Sequence, residues 1–331
     1  MTTLQFKNVY VQSSGCAVGP LEKAGPLGEY FTNAFNDNYC EESTFEKAER
    51  RLIKEAVSDT LKKGKLTTHD IALAYGGDLI NQCASSNYFA KDLKVPFVSL
   101  YGACSTSALA MGHAAIAVEH LQMKHVLAFT SSHTATAERQ FRYPNEYGTQ
   151  KKETTTSTVT GAGAVVLGSK PAAIAVTAFT IGQVIDWNFS DANDMGRAMV
   201  PAAYDTLMTH FKDMNRTFDD YDLVVTGDLS KLGYAMLSDL CLKQRFQLDN
   251  KLNDCGLMIY DVNNQPIFCG GSGCACSMVV TVSKLFDLLR TNQMKRILLI
   301  ATGALLTPVI LAQKEAIPCV AHAVCFERKD A

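Results

Sequence analysis

The sequence predicts an α/β protein built from two duplicated halves. Two segments, LTTHDIALAYGGDL (66–79) and RTFDDYDLVVTGDL (216–229), align without a gap, so that Asp78 matches Asp228. The elements that follow each segment keep the same order, and their strands are mostly apolar. Such strands are buried on both faces. Each half should therefore contain a sheet that helices cover, and the halves should meet about a pseudo-twofold axis.

A helix is predicted before each copy of the repeat. The first opens with the capping box formed by Ser43 and Glu46, and its apolar residues follow at four-residue steps (Ala48, Leu52, Ala56). The second is expected over about 201–211. Equivalent helices in front of equivalent segments strengthen the case for duplication.

The segment YGACSTSALAMGHAAIAVEHL (101–121) predicts a helix that begins close to Cys104. The strand-like run KVPFVSLYG (94–102) leads into it. A thiol in the first turn of a helix lies near unpaired N–H groups and the positive end of the helix dipole, which favour a thiolate. Cys104 is therefore a candidate nucleophile or pocket residue. The alternative is an inert packed thiol, because free cysteine is often buried.

Later elements of the two halves also correspond. GGSGCACS (270–277) opens an apolar helix, and HVLAFTSS (125–132) and RILLIATGA (296–304) are predicted strands. Each half then ends in a strand of small residues, GAGAVVLG (161–168) and VAHAVCFE (320–327). We expect an N-terminal half over 1–170 that carries Cys104 and a C-terminal half over 171–331 that carries His322.

Composition excludes several classes of function. The net charge is −2 and the pI near 6.4, with no block of basic residues, so nucleic acid is not an expected partner. The N-terminal residues lack the pattern of a signal peptide. The apolar run 296–312 is interrupted and shorter than the ~20 residues that span a bilayer. We expect a soluble chain whose membrane association is peripheral.

The eleven cysteines are an odd number, which indicates reduced thiols rather than a disulfide framework. Three of them lie close together at Cys269, Cys274 and Cys276. Their spacing fits no common zinc or iron–sulfur pattern, and no histidine lies nearby. Neither a metal site nor a cofactor is expected.

These features together resemble the thiolase superfamily, which includes thiolases, β-ketoacyl-acyl-carrier-protein synthases and chalcone-synthase-like enzymes. The resemblance implies a thiolase-like fold with a layered helix-sheet-helix-sheet-helix core, in which Cys104 stands at the place of the nucleophile. Condensing synthases also use a histidine and an asparagine from the second half. Thr226 and Gly271 stand at about those two places here, so the base and the oxyanion donors of a condensation are missing.

Nearly the whole chain is more similar to one non-condensing branch, the stage V sporulation protein AD family of spore-forming bacteria. The stretches that carry the similarity are GPLGEYF, FEKAERRL, YGACSTS, SSHTATAERQFRYPNEYG, TVTGAGAVVLG, DYDLVVTGDL, NDCGLMIYD, GGSGCACS and RILLIATGALL. The resemblance implies a non-enzymatic protein that binds dipicolinic acid. It also implies a part in moving this compound, usually as a calcium chelate, across the spore inner membrane in sporulation and germination, together with other membrane and soluble proteins of the same operon.

Three residues are candidates for ligand binding. Cys104 and His322 form the first pair, because the turn of His322 corresponds to a family loop that faces the active site. Arg139 is a weaker candidate whose guanidinium would suit a carboxylate, whereas Arg142 is assigned to a surface loop or dimer contact. The alternative for the first pair is an inherited packed thiol and a satisfied core histidine.

Three further expectations complete the reading. Asp78 and Asp228 should share a structural task such as capping the following helix. A homodimer is expected, with the strand HVLAFTSS (125–132) forming its edge. The alternative function is an active acyltransferase that uses Cys104 with His322.

Overall fold

Strands and helices alternate along most of the chain. The computed structural model of the protein describes residues 2–141 and 151–329. The strands are β1 (Thr3–Gln5), β2 (Tyr10–Val18), β3 (Asn33–Ala34), β4 (Leu73–Gly77), β5 (Phe97–Ser99), β6 (His125–Ser132), β7 (Ser157–Thr158), β8 (Gly161–Gly168), β9 (Ile174–Ile181), β10 (Leu223–Thr226), β11 (Leu252–Asp254), β12 (Gly271–Ser272), β13 (Arg296–Ala304) and β14 (Cys319–Arg328).

The helices include one π-helical turn, Thr281–Leu285, between α10 and α11. The α-helices are α1 (Pro20–Lys23), α2 (Phe45–Gly64), α3 (Ala84–Leu93), α4 (Thr106–His120), α5 (Thr134–Phe141), α6 (Met195–Ala198), α7 (Val200–Met214), α8 (Ser230–Lys243), α9 (Cys255–Ile259), α10 (Cys274–Val280), α11 (Phe286–Arg290) and α12 (Pro308–Ala312).

The main sheet contains two runs of five strands with the same order. One run reads β5-β4-β6-β8-β2 and the other β11-β10-β13-β14-β9. In each run the first three strands are parallel and the last two are antiparallel. The runs adjoin at β2 and β9, which pair at Tyr10 and Ala175. This order confirms the duplication that the repeated segments predict.

Helices cover both faces of each run. α2 packs on β2 and β8 from one side, and α7 packs on β14 and β13 from the other. Between the two runs lie α4 and α10, which contact each other, and the hydroxyl oxygens of Ser107 and Ser277 are 2.6 Å apart. All seven residues of α10 are buried, as expected for a helix that is apolar on every side. The resulting layers follow the expected order, helix-sheet-helix-sheet-helix.

The repeated segments form the same local structure. In the first, the N–H of Thr67 donates to the carboxylate of Asp70 at 2.8 Å, and in the second the N–H of Thr217 donates to Asp220 at 2.9 Å. Both contacts belong to capping boxes that open a short 3₁₀ turn before the strand. The sequence match therefore reflects an identical pattern of hydrogen bonds.

Some boundaries differ from the predictions. The N-cap of α2 is Thr44, whose hydroxyl accepts from the N–H of Lys47, rather than Ser43. The strand before Cys104 is shorter than expected, because β5 contains only three residues. The run 296–312 forms a buried strand and then the short helix α12, as predicted.

The expected dimer edge is wrong in one respect. HVLAFTSS is β6, which pairs with β4 on one side and β8 on the other, so its backbone groups are already used. The strand at the end of that run is β5. Its outward neighbours include Val98, which is 40% exposed. An edge for a second copy would be provided by β5.

Two further observations bear on the chemistry of the chain. All eleven cysteines are free thiols. Within residues 2–141 and 151–329, no helix is long and apolar enough to cross a membrane.

Candidate functional site

A tight turn before α4 positions Cys104. Ala103 has a φ of +49°, in the left-handed region that residues with a side chain rarely adopt. The side chains of Ser105 and Thr106 stabilise the turn, because their hydroxyls donate to the carbonyls of Gly102 at 2.6 Å and of Ala103 at 2.7 Å. The helix begins at Thr106, so Cys104 lies just before its first turn.

The end of β13 approaches this turn closely. A side chain at Gly303 would place its Cβ 2.2 Å from the carbonyl oxygen of Gly102, which sterics forbid. Only glycine allows the strand of the second half to reach the turn of the first half at this point. The site therefore lies where the two halves meet.

Asp228 is the functional residue that sequence reasoning missed. Its carboxylate accepts hydrogen bonds from the hydroxyl of Thr302 at 2.7 Å, from the N–H of Gly273 at 3.1 Å and from the thiol of Cys104. Only 1% of Asp228 is exposed. A carboxyl group from the second half is thus the immediate polar partner of the cysteine from the first.

The expectation that Asp78 and Asp228 share a task holds only for Asp78. The carboxylate of Asp78 accepts from the N–H groups of Ile80 at 3.0 Å and Ser86 at 2.7 Å, and so caps the start of α3. In the second half Asp254 does the equivalent work, because it accepts from the N–H groups of Leu229 and Ser230 at the start of α8. The presence of Asp254 leaves Asp228 free to face Cys104, a substitution of roles that the repeat alone does not reveal.

Burial decides the protonation of this pair. The pKa of the Cys104 thiol is well above its ordinary value, first because the thiol is withdrawn from water and then because the negative charge of Asp228 opposes ionisation. Burial also raises the pKa of Asp228 to about 7. The expected activation of Cys104 as a thiolate is therefore wrong: desolvation outweighs the helix dipole, and the thiol stays protonated at neutral pH.

A largely apolar cavity opens beside this pair. Its volume, measured for the centre of a water molecule, is about 40 Å³, room for about three waters. Among its described lining residues none is Lys, Arg or His, and the acid is Asp228. The polar members are Tyr101, Cys104, Thr156, Thr158, Asp228 and Ser272, and the apolar members are Leu79, Ala103, Ala137, Phe141, Met195, Met199, Ala304 and Leu306.

Comparison with known proteins assigns the family. The family model for stage V sporulation protein AD matches residues 1–327. Stage V sporulation protein AD of Bacillus subtilis (strain 168) is 50% identical over 320 residues, which cover 97% of this chain and 94% of that protein. The chain belongs to the stage V sporulation protein AD family. It is therefore a member of a family of sporulation proteins.

Solved structures share its fold. The 3-oxoacyl-[acyl-carrier-protein] synthase III of Aquifex aeolicus VF5 matches with a TM-score of 0.61 and 12% identity over 96% of this chain and 99% of that chain. A variant of OleA from Xanthomonas campestris matches with a TM-score of 0.63 and 15% identity over 97% of this chain and 99% of that chain. At such low identity these matches show a thiolase-like fold.

In this member of the sporulation protein AD family, His322 does not lie in a loop. It is an inner residue of β14, paired with Ala301, and it is absent from the lining of the cavity. Its Nδ1 accepts from the N–H of Gly182 at 3.3 Å, and its ring lies near Phe179. Burial first, and the nearby His113 second, lower the pKa of His322 to about 4. The expected protonated partner for a ligand is therefore a neutral core histidine.

Arg139 also lies away from the cavity. Its guanidinium forms an ion pair with Glu46 of α2, and both side chains are partly exposed. The neighbours of Arg139 on α5 that do line the cavity are Ala137 and Phe141, which lie on another face of the helix. Its position supports a role in holding α5 against α2. Arg142 lies outside the described residues.

The two positions that depart from condensing synthases have other structural roles. The hydroxyl of Thr226 donates to the carboxylate of Asp254 at 2.7 Å. Gly271 is enclosed, since a Cβ there would lie 2.8 Å from a methyl carbon of Ile259. An asparagine does not fit at Gly271 without movement of its neighbours.

Proposed function

We propose that the protein binds dipicolinic acid in the cavity beside Cys104, preferably as the calcium chelate. In this proposal it is a non-enzymatic accessory of dipicolinate transport across the spore inner membrane in sporulation and germination. The observation that carries the proposal is the charge of the cavity. Its described lining contains the carboxyl group of Asp228 and no basic side chain.

The charge of the lining favours the chelate over the free acid. Dipicolinate is a dianion at neutral pH, and burying an unpaired carboxylate costs several kcal/mol. Near Asp228 that cost would increase through repulsion between like charges. The calcium chelate carries no net charge and brings a cation that prefers oxygen ligands. Asp228 and the hydroxyls of Thr158 and Ser272 are oxygen donors in the lining that suit such a cation.

The titration of Asp228 suits this task. With a pKa of about 7, the buried carboxyl group is partly protonated at neutral pH. It can remain neutral while the cavity is empty and release its proton when a cation arrives. Binding of the chelate should therefore release protons from the protein.

The ligand requires the cavity to widen. A planar ring with two carboxyl groups is larger than the roughly three waters that the cavity accepts. Tyr101 is 47% exposed and lines the cavity, and Phe141 ends α5 beside it. Rotation of these aromatic side chains would open a path from solvent without disturbing the buried sheet.

Condensing chemistry is not part of the proposal. It requires a base and oxyanion donors near an activated cysteine, whereas Thr226 and Gly271 stand at the expected places and Cys104 is a neutral thiol. Incubation with acyl thioesters followed by mass spectrometry tests the alternative acyltransferase. An acyl group on Cys104 that turns over would support that enzyme and contradict the binding protein.

Calorimetry tests the ligand. We expect the wild-type protein to bind dipicolinic acid more tightly with calcium than with a chelator, and picolinic acid, which lacks the second carboxylate, to bind more weakly. Asp228→Asn should weaken calcium-dependent binding at least about tenfold, equivalent to about 1.4 kcal/mol. Asp239→Asn, at an exposed site on α8, removes the same charge and should bind as wild type. Binding that ignores calcium, or equal affinities for both variants, would contradict the chelate model.

The proposal also assigns the setting of the protein. It places the chain peripherally on the forespore or spore inner membrane, with other proteins of the same operon as partners. A homodimer joined at β5 would put Tyr101 and the mouth of the cavity close to the subunit interface, because Tyr101 follows β5 by two residues.

A further inference from the structure

A second concave surface lies on the opposite side of the first half, between α2 and α3. It is a groove of about 730 Å³, measured for the centre of a water molecule, and we call it the basic groove. Five cations line it, Lys47, Arg50, Arg51, Lys54 and Lys62, against the carboxylates of Glu42 and Asp92. This excess of positive charge stands on a chain whose net charge is −2.

Most of these cations lack a carboxylate partner. Arg51 is paired, at 3.5 Å to Glu41 and 3.1 Å to Glu55. Within the described part of the chain, the other four cations have no carboxylate oxygen within 4.0 Å. Arg50 instead lies over the ring of Tyr88, 5.6 Å from its centre. The charge of the groove is thus available to a partner.

The floor of the groove is apolar. It includes Val57, Leu61, Leu66, Phe89 and Leu93, which belong to the contact between α2 and α3 or adjoin it. Tyr88 stands at the rim with 60% of its surface exposed. A ligand that used charge alone would leave this apolar floor uncovered.

The cations follow one face of α2. Lys47, Arg50 and Lys54 recur at steps of three and four residues, the spacing at which side chains align on a helix. α2 has 20 residues, which corresponds to about 30 Å of helix. A second helix lying along this face could place acidic residues at the same spacing opposite the cations.

We propose that the basic groove binds an acidic amphipathic helix of a partner protein. Carboxylates on one face of that helix pair with Lys47, Arg50, Lys54 and Lys62, and its apolar face covers the floor. The concave shape favours a helix over an anionic bilayer, because a flat surface would reach the rim but not the floor. This inference is independent of the ligand in the Cys104 cavity.

A synthetic helical peptide of about 18 residues, with glutamates on one face and leucines on the other, tests the proposal. Its binding to the full chain is measured by fluorescence anisotropy. Lys54→Glu with Lys62→Glu should weaken binding at least about tenfold. The matched control, Lys231→Glu with Lys243→Glu, reverses two exposed charges on α8 and should change affinity by less than about twofold. Tyr88→Ala should weaken binding about threefold, whereas Leu242→Ala, also at an exposed apolar residue, should not.

Three outcomes would overturn the proposal. One is failure of the wild-type chain to bind the peptide. Another is equal weakening by the groove and control variants, which would indicate general charge attraction. The third is binding to phosphatidylglycerol vesicles, but not to the peptide, with the same dependence on Lys54 and Lys62, which would make the groove a lipid contact. Circular dichroism of each variant checks that it is folded.

Discussion

Replacing Asp228 with asparagine should change how the stability of the protein depends on pH. Asp228 is buried, and its pKa of about 7 in the folded protein compares with 3.8 for an unperturbed aspartate. Between these values the folded state holds a proton that the unfolded state has released. The free energy of unfolding must therefore fall as the pH rises from about 4 to about 7.

The size of the effect follows from the two pKa values. They differ by about three, which corresponds to about 4 kcal/mol over the whole pH range. Between about pH 5 and about pH 8 the expected loss is about 2–3 kcal/mol. Asparagine has nearly the same shape and does not ionise, so Asp228→Asn lacks this loss.

Urea unfolding at about pH 5 and about pH 8 measures the effect. The difference between the two pH values is compared for wild type and Asp228→Asn, so any constant cost of the substitution cancels. Other buried carboxyl groups, such as Glu49 with a pKa of about 8, titrate in both proteins and largely cancel as well. The exposed control Asp239→Asn should follow the wild type. Parallel curves for Asp228→Asn and wild type would refute the assignment of a raised pKa to Asp228.

Three further predictions concern other parts of the molecule. The ring signals of His322 in NMR spectra should stay constant above about pH 5.5, because its pKa is about 4; a midpoint near pH 6.5 would contradict its burial. Iodoacetamide at neutral pH should alkylate Cys104 at least about tenfold more slowly than a cysteine in a short peptide, because its pKa is raised and the thiolate is the nucleophile; mass spectrometry that finds equal rates would argue against a protonated thiol. Light scattering should give about twice the monomer mass of 36.1 kDa, and Val98→Lys at the exposed edge of β5 should give monomers. A wild-type monomer would remove the case for an interface at β5.

The fold could be predicted from the sequence because its strongest signals are local. The capping boxes at Thr67 and Thr217 involve residues three positions apart, so the repeat shows them directly. The apolar runs that became β6 and β13 are long enough to identify without knowledge of their partners. Local patterns of this kind determine which elements form, and duplication then gives their order.

The site could be predicted only in part, because its contacts join distant residues. The place of Cys104 beside a turn was evident from its small neighbours. Its contact with Asp228 depends on the packing of one half against the other, and the repeat suggested a capping role that Asp254 fulfils instead. The error over His322 has a similar origin, since only the pairing of β14 with β13 shows that this residue is inside a strand.

The hydrogen bond between Ser107 and Ser277 lies in a layer of helices that both halves enclose. One core contains residues of α4 from the first half and of α10 from the second, so each half completes the interior of the other. A polypeptide cut between β8 and β9 would yield two fragments that each expose a central helix to water. Such fragments should aggregate alone and regain their structure when mixed, in the manner of complementing fragments. The duplication has therefore produced a single cooperative unit, whose two copies depend on each other for folding.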